Sequence, residues 1–415
     1  MDSTELYRQL LGVATPWTVD RVDMDVHGLS VDVYLAHGSG IRFACPKCGQ
    51  PRPVYDHLAE RRWRHLDSCH FRTVLHALPP RITCPADGVL QVELPWATPG
   101  GRFTRLFESL AIDVLLATDI KNAAAILNIT WDEAWHIMQR AVIRGRAAKV
   151  NEPPQLMGVD EKSYAKRHKY VTVVYDLQTA TVEYLGRGRD FCSLGAYFKA
   201  FEPQALQGIE GIALDMCQAY INACNHFVPE AAKKMVFDRF HIMSHMLDAV
   251  DRVRKRENRE LQGRGDNTLA KSRYLWLYSR ENVPPKSVDR FKELKDAQLR
   301  TARAWAIKES LRDLWGYTSE TWARKFWKRW NFWATHSKLP EVIKAAKLIR
   351  SHLDNIMSYF KHRITNAIAE GLNSKIATIQ KRAYGFRNLD NFITAIYFHC
   401  GGLDLWTHRA THTEV

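Results

Sequence analysis

Two aspartates close short apolar runs, Asp160 in LMGVD and Asp215 in GIALD. Runs of this kind read as buried strands, and in open α/β sheets ligands bind at the carboxyl ends of strands. Two carboxylates that meet in one cleft repel each other and become comfortable only when they share a cation. Oxygen donors without a His or Cys set beside them suit Mg²⁺ or Mn²⁺. A third acid, Glu370, lies in TNAIAEGLNSKIATIQKR. There Ile368, Leu372, Ile376 and Ile379 mark an apolar helical stripe, while Asn366, Glu370 and Asn373 share a polar face. A helix packed on the sheet would present Glu370 to the cleft edge. An acid on such a face is ordinarily just solvated, so the argument rests on the set. A third apolar run, KKMVFD, also ends in an acid, and FDRFH places Asp238 and His241 in an Asp-x-x-His step. Asp238 reads equally well as the cap of the next helix.

A second cluster is sulfur-based. Cys45-x-x-Cys48 and Cys84 offer three thiolates, and a structural zinc site takes four ligands. Asp87, Cys69, His57, His65 and His70 are the available fourth donors; without metal, the module is a degenerate finger held by packing. Of the chain's eight cysteines, Cys192, Cys217, Cys224 and Cys400 are scattered, which does not suggest a disulfide framework.

The elements that must position these groups fall into segments. Residues 1–98 form a small β-rich, zinc-finger-like module. In it Leu29, Val31, Val33 and Leu35 alternate with polar residues after a tight turn at His27-Gly28. Residues 99–150 are helical. TRLFESLAIDVLLAT and IKNAAAIL are followed by a break at Asn128-Ile129, and Thr130 with Glu133 has capping-box spacing before a helix from Trp131. This is the order of a helix-turn-helix. On its last helix Trp135, His136, Gln139, Arg140 and Arg144 are predicted on the outer, DNA-facing side. After the linker Asn151-Glu152-Pro153-Pro154, residues 151–241 read as mixed α/β, with a hairpin around Leu177-Gln178-Thr179. Residues 242–360 read as an all-α insertion in which Trp322, Phe326, Trp330 and Trp333 are predicted as a core stripe beneath Arg324, Lys325, Lys328 and Arg329. Residues 361–408 carry Glu370, and the last residues, THRATHTEV, read as frayed.

With 59 Lys plus Arg against 45 Asp plus Glu, the formal charge is +14, which favours polyanionic partners. No apolar run approaches the roughly 20 residues that span a bilayer, and the N-terminus lacks signal-peptide order, so no membrane role and a cytoplasmic location are expected.

GVDE at 158–161, LDMCQAY at 214–220, FDRFH at 237–241 and AEGLNSKIATIQKRAYGFRN at 369–388 together resemble the ISL-three family of insertion-sequence transposases. The resemblance runs from the cysteine pair to about residue 400. It implies an RNase H-like mixed sheet split by the helical insertion, with Asp160, Asp215 and Glu370 as a DDE triad. The separation of 155 positions from Asp215 to Glu370 leaves room for that insertion. It also implies two-metal phosphoryl transfer, Asp238 and His241 in a supporting role, and a finger in which Asp87 stands where the family usually has His. The implied partners are terminal inverted repeats and target DNA, met by a homo-oligomer in a synaptic complex. Lys162, Lys166, Arg167, Lys169, Arg187, Arg189, Lys381, Arg382 and Arg387 would flank the cleft and hold phosphates. The competing readings are a non-catalytic DNA-binding protein derived from a transposase, an RNase H-like nuclease that cuts without joining, and a zinc-dependent hydrolase. The last is disfavoured because the zinc-like ligands lie far in sequence from the acids.

Overall fold

The computed structural model describes residues 2–165 and 169–406. Lys166, Arg167 and the terminal THRATHTEV lie outside the described residues. The chain divides into two compact units: one runs to Lys149 and takes in the tail from Leu403, and the other is Val150–Gly402.

In the first unit, helix α1 (Ser3–Leu10) precedes eight strands: β1 (Trp17–Asp25), β2 (Ser30–His37), β3 (Arg42–Ala44), β4 (Pro51–His57), β5 (Arg61–Arg64), β6 (Arg72–Ala77), β7 (Pro80–Cys84) and β8 (Gly88–Gln91). They form two four-stranded sheets, ordered β1-β2-β6-β5 and β3-β4-β7-β8. Alternation in β2 buries Val31, Val33 and Leu35 against Trp17, Trp63, Leu75 and Ile82. Leu29 does not join them. It sits half-exposed at φ 49° in the turn that Asp25 closes by accepting from the His27 and Gly28 N–H groups.

Three helices follow: α2 (Arg105–Ala117), α3 (Ile120–Leu127) and α4 (Trp131–Ala148). Thr104 and Asp119 cap the first two, Asn128 ends α3 in the left-handed region at φ 52°, and Thr130 with Glu133 forms a complete capping box for α4. Each N-terminal boundary therefore follows from a local side chain that accepts from free helix-end N–H groups, and at Asn128 the backbone turns so that its own N–H meets the last carbonyls of α3. The tail returns to α4, where the Arg144 guanidinium donates to the Leu405 carbonyl and Trp406 Nε1 donates to Asp113 at 2.9 Å.

The second unit is built on one sheet of β9 (Leu156–Ala165), β10 (Lys169–Asp176), β11 (Thr181–Arg187), β12 (Gly211–Leu214) and β13 (Met235–Phe237), in the order β11-β10-β9-β12-β13. The hairpin strands β10 and β11 run antiparallel in succession from the central β9, while β12 and β13 lie parallel to it. Helices α5 (Phe191–Phe198), α6 (Pro203–Gln207), α7 (Gln218–Phe227) and α8 (Ala231–Lys234) fill the connections. The strand pattern ends at Asp160 on sequence grounds. Pairing with β10 instead carries β9 on to Ala165, so Asp160 sits within the strand, just past its parallel pairing with β12.

Among the described residues of 239–364 there is helix and no strand: α9 (Arg239–Gln262), α10 (Arg273–Leu277), α11 (Val288–Asp296), α12 (Arg300–Leu311), α13 (Glu320–Thr335), α14 (Pro340–Ser351), α15 (Leu353–Met357) and α16 (Tyr359–His362). The tryptophan stripe is rotated from its predicted position. Ala323, Trp327, Trp330 and Ala334 face inward on α13, whereas Trp322 and Trp333 are exposed. The two alanines let the helix approach its neighbours, and Trp330 Nε1 finds the Ile307 carbonyl at 2.9 Å. Helices α17 (Ala367–Arg382) and α18 (Leu389–Cys400) complete the unit. No helix among the described residues is long and apolar enough to cross a membrane.

Candidate active site and metal centre

Continuing the parallel β9–β12 register by two residues beyond Ala213↔Gly158 brings Asp215 beside Asp160. Asp160 is held on both oxygens: Oδ1 accepts from the Glu161 N–H and Oδ2 from Asn373 Nδ2, each at 2.7 Å. Burial pushes its carboxyl above the usual range; nearby His241 opposes this and the Asp215 charge adds to it. Asp215 follows β12 and accepts from the Cys217 N–H at 2.9 Å, at the start of α7. Asp238 follows β13 in the same way. One of its oxygens caps α9 by accepting from the Phe240 N–H, while Oδ2 is buried without a hydrogen-bond partner. His241 is in the first turn of α9, and His245 lies one turn further. Burial lowers the His245 imidazole, which also feels Asp248, His241 and Asp215.

Helix α17 is clamped to this sheet beside Asp160 through Asn373. Asn373 donates to Asp160, accepts from the Tyr175 hydroxyl at 2.8 Å, and its carbonyl takes Lys162 Nζ at 3.0 Å. Asn366, at the helix start, is buried rather than on an open polar face; a β-carbon at Gly158 would lie 3.1 Å from its Oδ1. The inward stripe of α17 is Ala369, Leu372 and Ile376, with Ile368 partly exposed, so the helix is turned from the predicted orientation. Glu370 is exposed one turn before Asn373, on the same side of the helix. Asp160, Asp215 and His241 share a neighbourhood, and Glu370 lies on the helix that Asn373 ties to Asp160. The three carboxylates do not converge on one point: among the described residues, only Cys45, Cys48 and Cys84 bring three such ligand atoms within 4.8 Å of one another. Glu161 points away and pairs with Arg189 at 3.0 Å.

The cysteines sit on two copies of one turn, CPKCG at 45–49 and CPADG at 84–88, each ending in a left-handed glycine, Gly49 at φ 72° and Gly88 at φ 74°. Backbone N–H groups of Cys48 and Lys47 aim at the Cys45 sulfur and hold its thiol below the usual range. Ala86 and Asp87 N–H groups act likewise on Cys84, but burial and the Asp87 carboxylate leave that thiol above the usual range. Asp87 occupies the place in the second turn that Cys48 has in the first. Its Oδ2 accepts from Cys84 Sγ at 3.4 Å and its Oδ1 pairs with Lys47 at 3.1 Å. His57 bonds His37 at 2.8 Å and buried His65 bonds Thr104 at 2.9 Å; neither of these, nor Cys69 or His70, joins the thiols.

On α4, His136 is exposed and Gln139 half-exposed, as predicted. Trp135 is buried and stacks on Trp131 at 5.8 Å. Arg140 turns in to the buried Glu108 at 2.6 Å, and Arg144 holds the tail carbonyl. The aliphatic stems of both arginines let them line a helix interface, which a charge-based division of the faces misplaces. The exposed positions also include Trp131 and Ile143.

A family model described as a transposase matches residues 157–396. The chain belongs to the ISL3 family of transposases. Two further models agree: one described as the zinc finger of IS204, IS1001, IS1096 and IS1165 transposases matches residues 41–87, and one described as the helix-turn-helix domain of transposase family ISL3 matches residues 92–142. The chain is 29% identical over 395 residues to the transposase for insertion sequence element IS1001 of Bordetella parapertussis, covering 93% of this chain and 96% of that one. It is 25% identical over 441 residues to the transposase for insertion sequence element IS1557 of Mycobacterium tuberculosis, covering 99% and 97%.

Both metal sites implied for this DDE transposase pass a donor test. Three sulfurs with a carboxylate beside them suit zinc, and a half-buried aspartate pair with an unpartnered Asp238 oxygen nearby suits a hard divalent cation. Sequence reasoning missed His245, although its i+4 spacing from His241 was a readable signal. It also missed the clamp made by Asn373 and Tyr175, which come from segments 198 residues apart.

Proposed function

We propose that this transposase cuts and joins DNA with Asp160, Asp215 and Glu370 as its catalytic triad, on an RNase H-like core. The observation that carries the reading is the Asn373 clamp, which ties the helix bearing Glu370 to the central-strand aspartate at 2.7 Å. The sheet order, with an antiparallel hairpin on one side of β9 and two parallel strands on the other, supports the core assignment. In this reading residues 1–98 are the zinc-finger-like module, 99–150 the DNA-reading helices, 151–241 and 361–408 the two parts of the core, and 242–360 the insertion. The helix-turn-helix binds DNA, and its target is the element's terminal inverted repeats.

Asp160 and Asp215 hold Mg²⁺, or Mn²⁺ in its place, and Glu370 completes the set when DNA is bound. A divalent ion held there would supply Lewis-acid activation of a water or 3′-hydroxyl and charge stabilisation for the leaving oxygen. Asn373 keeps Asp160 aimed into the cleft. Asp238 and His241 line the cleft behind the aspartates. Lys381, Arg382 and Arg387 meet phosphates. Zinc is held by Cys45, Cys48 and Cys84 with Asp87. The working form is a cytoplasmic homo-oligomer that pairs two ends.

The test mixes the full chain, Mg²⁺, labelled DNA from either side of the gene and a target plasmid. Covalently joined product, absent with Glu370→Gln, is expected. Cleavage without joining would make the protein a nuclease, and joining at full rate by the Gln variant would remove Glu370 from the triad.

A further inference from the structure

After α17 the backbone turns back through two left-handed residues, Tyr384 at φ 52° and Gly385 at φ 93°. The turn is a helix cap: the Ala383 N–H donates to Ile379, the Tyr384 N–H to Lys381 and the Gly385 N–H to Gln380, at 3.1, 3.0 and 2.9 Å. The first left-handed position of such a cap ordinarily belongs to glycine, because a β-carbon there is strained. Here it is a tyrosine that is 99% exposed as a residue, so no packing offsets the strain. The loop itself is anchored. Phe386 packs at 5.3 Å on Phe392, which is fully buried and also meets Tyr164 at 6.1 Å. The result is a rigidly based aromatic ring standing in water, at a position where glycine would be more stable. Such an arrangement points to a binding task.

Beside the ring lies an open groove of about 660 Å³ lined by Tyr164, Gln380, Tyr384, Phe386 and Arg387. Arg387 in its lining is exposed, and exposed Lys381 and Arg382 flank the lining residues Gln380 and Ala383 along the chain. The groove and the carboxylates share one seam between β9 and α17, stitched by Lys162 to the Asn373 carbonyl at 3.0 Å and by Gln380 Nε2 to the Tyr164 carbonyl at 2.9 Å. At the rise of a strand, Tyr164 is about 13 Å along β9 from Asp160. At the rise of a helix, Tyr384 is about 20 Å along α17 from Glu370. These spans equal about four to six nucleotides of DNA.

We propose that this groove is a nucleobase site, in which Tyr384 stacks on an unpaired or extruded base of the DNA substrate about four to six nucleotides from the cleaved phosphate. An exposed aromatic platform beside a groove lined by Arg387, on a segment that also carries Lys381 and Arg382, is the arrangement that takes a base and its flanking phosphates. The proposal rests on the carboxylate reading only for where the cut falls.

The test uses the full chain in Ca²⁺, with two probes: a 40-base-pair duplex, and the same duplex with a three-nucleotide bulge containing 2-aminopurine. Wild type and Tyr384→Phe should bind the bulged probe about tenfold or more tighter than the duplex and quench its fluorescence. Tyr384→Ala and Tyr384→Gly should bind both probes alike without quenching. Tyr384→Gly should melt above wild type, because it relieves the left-handed strain. Retention of the bulge preference by Tyr384→Ala overturns the proposal. So does a loss of self-association in that variant with unchanged probe binding, which would make a second copy of the chain the ring's partner. Binding is read without chemistry, so failure of the carboxylate reading shows separately, as a wild-type protein that stacks the base but joins no DNA.

Discussion

The cysteine cluster and the carboxylate cluster are both suited to metal, yet they are built in opposite ways. The cysteines come from two short turns that each shape themselves, with a left-handed glycine and backbone N–H groups aimed at sulfur, and the three ligand atoms already lie within 4.8 Å. The carboxylates come from β9, the end of β12 and the first turn of α17, and they stand apart. A site that maintains a fold is finished by local geometry. A site that acts on a substrate keeps a position open for it.

The sharpest way to break this contrast is to neutralise the open site. Asp160→Asn, Asp215→Asn and Glu370→Gln should each cut joining about a thousandfold or more while leaving melting temperature and DNA binding nearly unchanged, and double variants should be scarcely worse than singles. A clear fall in stability would mean these acids serve the fold, as the cysteines do. The reverse experiment is chelation. Stripping zinc should unfold residues 41–91 and leave Val150–Gly402 melting as before, because metal affinity there is folding energy, of order 10 kcal/mol in small zinc modules. Protein purified without chelator should carry one zinc per chain by elemental analysis; finding none would dissolve the comparison.

A smaller effect tests how the open site is aligned. Asn373→Ala should lower the joining rate about 10- to 100-fold, as loss of an orienting partner does, with little change in DNA affinity. Tyr175→Phe should cost less, since it releases only Asn373. Equal loss in rate and affinity would recast Asn373 as a DNA contact. Acid should act on both halves alike and so cannot separate them. Burial lowers His65 in the first unit and His399 in the second from 6.5 to about 4. Between those values the unfolded chain binds more protons, so stability is full above pH 6.5 and is lost as pH falls toward 4. His399→Gln should flatten that slope for the second unit only, read by hydrogen exchange on α17 and α18.

Patterns that depend on neighbours in sequence were legible, and those that depend on distant packing were not. The Thr130–Glu133 box and the cysteine turns are local chemistry and appear where expected. Asp160 and Asp215 were legible because an acid after an apolar run is a local signal. The extension of β9 past Asp160 was not, since it is imposed by β10. Arg140 and Arg144 turn inward because Glu108 and the tail carbonyl of Leu405 receive them, and helical periodicity alone cannot register those partners. Tyr384 hides for a different reason. Gly385 beside it is the obvious left-handed residue, and only coordinates reveal that both are.

The clamp between Asn373 and Asp160 closes a span of 213 residues. At synthesis rates of roughly 5–20 residues per second, about 10–40 s pass between the two leaving the ribosome's catalytic centre. Throughout that interval the nascent chain owns its zinc finger and its DNA-reading helices but not Glu370. A polypeptide that stops anywhere in the insertion is therefore a binder that cannot complete the carboxylate set. Such a product would compete with the finished enzyme for DNA, so termination within the insertion, though not before the helix-turn-helix, is expected to yield an antagonist of transposition.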